Sequence, residues 1–144
     1  MAAFATTRKI LFQHCDPAGI VFYPRYFEML NAVVEEWFDL ELNVPFAELH
    51  GPRHSGIPTV SIDVQFKKPS RLGEEITIEY GIEKLGGASL TARFAFLGPD
   101  GDLRLEGRQV LVHTDLEALK PTPFPDDLRA RMTHFLLEED VSDA

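Results

Sequence analysis

From Pro24 to about Leu40, apolar residues fall at Tyr26, Phe27, Leu30, Val33, Val34, Trp37 and Phe38, a spacing that holds the helical period from end to end. The polar residues Arg25, Glu28, Glu35 and Asp39 are confined to one edge. A helix with so broad an apolar face has to be wrapped, because one flat surface would leave part of that face in water. The rest of the sequence supplies the wrapping. Val60, Ile62, Val64 and Phe66 alternate with Ser61, Asp63 and Gln65, and Ile76, Ile78, Tyr80 and Ile82 alternate with Glu75, Thr77, Glu79 and Glu83. Both runs have the period-two pattern of half-buried strands. Gly86-Gly87 predicts a hairpin into Leu90, Ala92, Phe94 and Phe96, and Asp100-Gly101 a second into Leu103 to Val112. With a first strand over Thr7 to Phe12, these runs predict an α+β fold, an antiparallel meander curled around one long helix. Pro45 to His50 reads as a short second helix. Beyond Pro121, Pro123 and Pro125, Asp126 is placed to cap a C-terminal helix reaching about Leu137, with a frayed acidic tail from Glu138.

At 144 residues the chain fits one domain over 1–144, large enough to bury a core without metals or disulfides. A single cysteine excludes an intramolecular disulfide and agrees with a reducing cytoplasm. Met1 to Lys9 lacks the apolar core of a secretory signal, and no apolar run is long enough to span a bilayer, so a cytoplasmic protein is expected. The net charge of −9 argues against nucleic acid or an anionic membrane as partner, and no basic stripe with interleaved aromatics offsets it. A polyanionic ligand would need a local cationic patch working against the overall field.

The densest chemical signal lies just ahead of the long helix, in His14-Cys15-Asp16-Pro17-Ala18-Gly19-Ile20-Val21-Phe22-Tyr23-Pro24-Arg25-Tyr26. Pro17 fixes one backbone dihedral, Gly19 admits a conformation other residues resist, and Pro24 suits a first helical turn. Asp16 is thereby carried on a tight turn to a helix start, where free N–H groups favour negative charge. A carboxylate beside unpaired donors suits acyl chemistry, the donors receiving a developing oxyanion. An aspartate before proline is also an ordinary turn former. A Cys-His nucleophile is disfavoured, because neighbours on an extended segment point to opposite sides and His14 and Cys15 would not share a proton. The five histidines are scattered without paired ligand spacing, so no metal site is expected, and Glu35 reads as a solvated charge on the helix edge.

Asp16 to Tyr26, with a strand before it and an amphipathic helix after it, resembles the signature of the 4-hydroxybenzoyl-CoA thioesterase family of hotdog-fold proteins. The order of elements extends the resemblance over about Thr6 to Thr114. It implies that Asp16 is the catalytic carboxylate, as nucleophile on the thioester carbonyl or as general base on water. It also implies that the Tyr23 main-chain N–H stabilises the oxyanion, that Gly19 shapes the turn, and that Thr59 and Ser61 border the acyl pocket. The activity implied is hydrolysis of an acyl-CoA, with an aromatic acyl group preferred, to carboxylic acid and free CoA without cofactor or metal. An acyl carrier protein or short-chain acyl thioesterase is the alternative within enzymes, and a non-catalytic module that binds acyl thioesters is the alternative outside them. A hotdog dehydratase fits less well, because its histidine-centred site is not visible at the helix start. The resemblance further implies subunits paired through a continuous sheet, the site completed between them, and dimers associated into a homotetramer. One departure stands out at Glu83 to Ala88, where relatives carry a cluster of arginines and lysine for the CoA phosphates and this chain offers only Lys84. Lys67, Lys68 and Arg71 form the densest basic group and are the other candidates for phosphate contact.

Overall fold

The computed structural model describes residues 3–138. Its elements run β1 (Phe4–Lys9), α1 (Pro24–Leu40), α2 (Phe46–His50), β2 (Ser55–Gly56), β3 (Thr59–Phe66), β4 (Glu75–Leu85), β5 (Ser89–Leu97), β6 (Leu103–Val112), β7 (Thr114–Asp115), β8 (Lys120–Pro121) and α3 (Asp126–Met132). Helix α1 forms where its periodicity predicts, with Pro24 in the first turn, and it buries Tyr26, Met29, Leu30, Val33, Val34, Trp37 and Phe38. Five strands form one antiparallel sheet in the order β1-β4-β5-β6-β3. The sheet reaches the helix from several strands at once. The Trp37 ring lies 5.5 Å from Tyr80 of β4, and Tyr26 lies 5.6 Å from Phe96 of β5 and 6.1 Å from Phe66 of β3. Curling brings all three strands within reach of one cylinder, which a flat sheet could not do.

The structure corrects the sequence reading in three places. The first strand is Phe4–Lys9 rather than Thr7 to Phe12. Its register against β4 runs from Phe4 opposite Tyr80 to Lys9 opposite Glu75, so it ends where β4 begins. Ile10 then turns into the core, and Phe12–His14 forms one turn of 3₁₀ helix. The meander holds for β4, β5 and β6, but β3 lies against β6 at the far edge. The connection from Phe66 to Glu75 is too long for a hairpin turn and crosses the end of the sheet instead. At the C-terminus, Pro125 occupies the N-cap position and Asp126 sits inside the helix without a capping bond. The α-helix stops at Met132 and a 3₁₀ turn over Thr133–Phe135 carries helical backbone to within two residues of Leu137, after which the chain is drawn back to β4: Leu136 bridges Ile82, and the Leu137 N–H donates to the Ile82 carbonyl at 2.8 Å. The acidic tail beyond Glu138 lies outside the described residues. A small sheet, β2-β7-β8, was not anticipated.

Two local features prepare the site. The first is a β-bulge in β3. Thr59 pairs with Leu111 and Ser61 with Val110, so two residues of β3 advance against one of β6 and Val60 is the extra one. The second is an anchor under the loop between β3 and β4. Arg104, only 7% exposed, donates two bonds to Glu74, at 2.8 Å and 2.9 Å, and one to Asp102 at 2.7 Å. It also reaches the Pro69 carbonyl at 3.1 Å and the Ser70 hydroxyl at 3.2 Å. A buried guanidinium is tolerated because its donors are met. Glu74 in turn accepts the Arg71 N–H at 2.6 Å.

The paired Arg104 guanidinium holds the Glu74 carboxyl down at about 2, from an ordinary 4.5. A carboxyl with a depressed folded value stabilises the fold fully above its unfolded value and loses that contribution as pH falls. The window here runs from about 4.5 down to about 2. Glu74→Gln should therefore be less stable than the parent near neutrality and should lose less stability across that window. Urea midpoints measured as a function of pH test this, and parallel curves for the two proteins would remove Glu74 from the acid response.

Candidate active site

The segment between β1 and α1 folds back on itself. Cys15 and Val21 form an antiparallel bridge, and the Phe22 N–H donates to the His14 carbonyl at 2.9 Å. At its tip the Asp16 N–H donates to the Ile20 carbonyl at 3.0 Å, and the Gly19 N–H donates to the Asp16 carbonyl at 2.9 Å. Gly19 has φ +78°, a left-handed conformation that explains the glycine. The Asp16 side chain completes the turn by accepting the Ala18 N–H on Oδ1 at 2.9 Å, while Oδ2 has no partner among the described residues. One oxygen thus fixes the side chain and the other is unpaired among the described residues.

This turn is fastened to the loop that Arg104 anchors. The Val21 N–H donates to the Ser70 carbonyl at 2.9 Å, the Leu72 N–H donates to the Gly19 carbonyl at 3.0 Å, and Ile20 bridges Arg71. Asp16 is held through main-chain bonds to a segment that is itself pinned by a buried cation. At the start of α1 the Tyr23 N–H has no acceptor among the described residues, so the donor proposed for an oxyanion is available. The exposed Tyr23 ring packs edge-on against Phe22 at 5.7 Å and Phe66 at 6.4 Å. Beside them is a cleft of about 240 Å³ that Lys67 and Lys68 help to line.

The basic candidates separate into two places. Lys67, Lys68 and Arg71 lie on the loop beside the Asp16 turn, with Lys67 bonded to Gln65 at 3.2 Å and Lys68 3.7 Å from Asp102. The Arg71 side chain has no partner among the described residues. Lys84, opposite Thr91 near the hairpin end of β4, lies at the other end of the sheet.

A larger cleft of about 830 Å³ opens between α1 and the start of β3, and Thr59 lies in its wall. Glu28, Asn31 and Glu35 of α1 also line it, with Glu35 exposed as the sequence suggested. Ser61 does not join Thr59 there. In a regular strand the two would share a face, but the bulge puts Thr59 opposite inward-facing Leu111 and Ser61 opposite Val110 on the outer face. Gln109, which sequence reasoning missed, lines the cleft beside Thr59 and donates to its hydroxyl at 2.8 Å. The available signal was an amide at an inward position of an otherwise apolar run, between Leu105 and Leu111.

His14 and Cys15 do not form a couple. His14 accepts the Leu11 N–H on Nδ1 at 2.8 Å, and Cys15 Sγ lies 3.6 Å from the Leu11 carbonyl. Burial and neighbouring Arg25 hold the His14 imidazole below its ordinary range. Among the described residues no group of three metal-ligating side chains converges, and no helix is long and apolar enough to cross a membrane.

Residues 10–132 match the family model of the thioesterase-like superfamily. The 4-hydroxybenzoyl-CoA thioesterase of Pseudomonas sp. (strain CBS-3) is 30% identical over 127 residues, covering 83% of this chain and 90% of that protein. A gentisyl-coenzyme A thioesterase superposes with a TM-score of 0.79 at 27% identity, over 88% of this chain and 99% of its own. A 1,4-dihydroxy-2-naphthoyl-CoA thioesterase from Synechocystis superposes with a TM-score of 0.83 at 16% identity, over 91% of this chain and 96% of its own, a likeness of fold. The curled antiparallel sheet around α1 is the hotdog fold, and this chain belongs to the thioesterase-like superfamily.

Proposed function

We propose that this protein is an acyl-CoA thioesterase that hydrolyses an aromatic acyl-CoA to the free acid and CoA, with Asp16 as the catalytic carboxylate. The observation that carries this reading is the Asp16 turn, where one carboxylate oxygen is fixed by the Ala18 N–H and the other is free, on the same short loop as the unpaired Tyr23 N–H. Attack on the thioester carbonyl, by Asp16 itself or by a water that Asp16 deprotonates, moves the carbonyl electrons onto oxygen. The Tyr23 N–H stabilises that charge without reorganising. Collapse of the intermediate expels the CoA thiolate, and in the nucleophilic route a water then hydrolyses the acyl-aspartate. The aromatic preference draws on the hydroxybenzoyl and gentisyl activities of the similar proteins and on the rings of Phe22, Tyr23, Tyr26 and Phe66 near the turn. The single cysteine supports a cytoplasmic setting.

The reading needs a second copy of the chain. Asp16 is fastened to the loop that follows Phe66, whereas the large cleft sits at Thr59, the opposite end of β3. Eight residues of strand separate these ends, roughly 25 Å at the usual rise. Strand β3 is also one of the two edges of the sheet, with β1 the other, and it exposes Val60, Ile62 and Phe66. Antiparallel pairing of β3 with its copy would cover that edge, continue the sheet, and lay the Phe66 end of each subunit against the Thr59 end of the other. The Asp16 turn of one subunit then faces the cleft of its neighbour, and two such dimers would make the tetramer.

Asp16→Asn should lower turnover by several powers of ten while leaving substrate binding largely intact, because the amide keeps the shape and loses the basic oxygen. Cys15→Ala measured in parallel should stay active. Thiol release from a panel of aromatic, straight-chain and branched CoA thioesters reads both, and near-parental rates in the Asn variant would exclude Asp16 from the mechanism. Saturable binding without turnover on every thioester would favour a non-catalytic module.

For the nucleotide end of CoA, Lys67, Lys68 and Arg71 are the proposed phosphate contacts, since Lys67 and Lys68 border the Tyr23 cleft and Arg71, bridged to Ile20 of the Asp16 turn, has a side chain without a partner among the described residues. Neutralising all three should raise KM for acyl-CoA and weaken its salt dependence, with little change for an acyl-pantetheine. Equal effects on both substrates would refute phosphate binding there.

The shared site makes activity depend on association. Activity per subunit should fall on dilution in step with the dimer fraction measured by sedimentation. A fully active monomer would overturn the two-chain site.

A further inference from the structure

Gln109 stands at an inward position of β6 and is only 2% exposed. A primary amide buried among apolar side chains is costly unless its polar atoms are met. Here they are met by two partners and no others among the described residues. The Tyr80 hydroxyl donates to Oε1 at 2.8 Å, and Nε2 donates to the Thr59 hydroxyl at 2.8 Å. The chain of bonds has a direction. Tyr80 is fully buried, and burial pushes its phenol far above the ordinary range, so it keeps its proton wherever the protein is folded. Its hydrogen turns the carbonyl end of the amide inward and the NH₂ end toward Thr59. A threonine hydroxyl that accepts from the amide keeps one hydrogen to give away, and Thr59 has no acceptor for it among the described residues. Thr59 and Gln109 both line the cleft of about 830 Å³ between α1 and β3.

We propose that Gln109 is a positioning residue for acyl-group selection: anchored by Tyr80, it fixes the Thr59 hydroxyl as a hydrogen-bond donor to a polar oxygen carried by the acyl group in this cleft. The inference rests on the thioesterase reading above and adds to it the group that distinguishes a hydroxylated acyl chain from its unsubstituted analogue. A leucine at position 109 would fill the same inward volume but leave the buried Tyr80 hydroxyl without its acceptor, so the amide has a structural role toward Tyr80 as well as its role toward Thr59, and the ratio between substrates separates the two. The Val60 bulge serves the same end, because without it Thr59 would not face Gln109. Selection of this kind is sharp, since a polar group built to meet a substrate oxygen is left unpaired by an analogue that lacks one.

The test compares kcat and KM for benzoyl-CoA and the three hydroxybenzoyl-CoA isomers in the parent, Gln109→Leu, Thr59→Val and Thr59→Ser, with folding checked by thermal melting. The parent should favour at least one hydroxylated isomer over benzoyl-CoA. Gln109→Leu and Thr59→Val should each reduce that ratio of kcat/KM by about tenfold, mainly through KM for the hydroxylated substrate, and Thr59→Ser should keep it. A parent without such a preference overturns the proposal, and so does a parental ratio in folded Gln109→Leu or Thr59→Val. A fall that is equal for all substrates marks a structural role only and also overturns it. Should Gln109→Leu fail to fold, the two Thr59 variants decide. Should the parent hydrolyse no thioester, the thioesterase reading fails separately, and equilibrium binding of the same CoA thioesters decides the selection by the same ratio.

Discussion

The burial of α1 is the constraint from which the rest of the structure follows. Val33, Trp37 and Phe38 are fully buried and Leu30 nearly so, which a helix resting on one surface cannot achieve. The sheet meets the demand by twisting around the cylinder, so that Tyr80, Phe96 and Phe66 from three strands all touch the helix. A curled sheet has two open ends. The segment that enters the helix crosses one of them, and a cleft forms toward the other. Both parts of the candidate site are therefore by-products of the way the core is closed.

The Asp16 turn is small and exposed, and nothing in its own few residues would hold a carboxylate steady against solvent. Its stiffness is borrowed. Main-chain bonds tie it to residues 70–72, and Arg104 ties that stretch to Glu74 and Asp102. Charge that would be costly if left unpaired in the interior is arranged as a bonded hub, with the Asp16 carboxylate one step removed from it. This separation lets the hub be buried and permanently charged while Asp16 keeps a free oxygen.

The sequence showed some of this and hid the rest for definable reasons. Helix α1 was legible because its period persists over its whole length, and the strands because their alternation does. Alternation says that Thr59–Phe66 is a strand but not which strand it lies against, so its place beside β6 was not legible. The first strand was misplaced toward Phe12 because Ile10, Leu11 and Phe12 continue an apolar pattern whose pairing partner has already ended. The last helix was drawn too long because its end is set by a distant contact between Leu136 and Ile82. Asp16, Gly19 and Tyr23 were legible together, since turn chemistry and helix-start chemistry meet on one contiguous segment. Thr59 and Gln109 meet across fifty residues of chain, and no local pattern announces such a pair. Ser61 was read with Thr59 because a period-two reading has no way to see a bulge.

That bulge has an evolutionary consequence. An extra residue at Val60 uncouples the side-chain phase at the cleft end of β3 from the phase over the rest of the strand. Closing the bulge with Val60 retained would bring Val60 opposite Leu111 and turn Thr59 to the outer face, whereas loss of Val60 would leave Thr59 where it is. The inward set Ile62, Val64 and Phe66 would keep its place, and the turn that carries Asp16, more than forty residues away in sequence, would be untouched. A change in how this one residue is accommodated is therefore a short route by which a chain of this kind could alter the side chain its cleft presents while keeping the Asp16 turn intact.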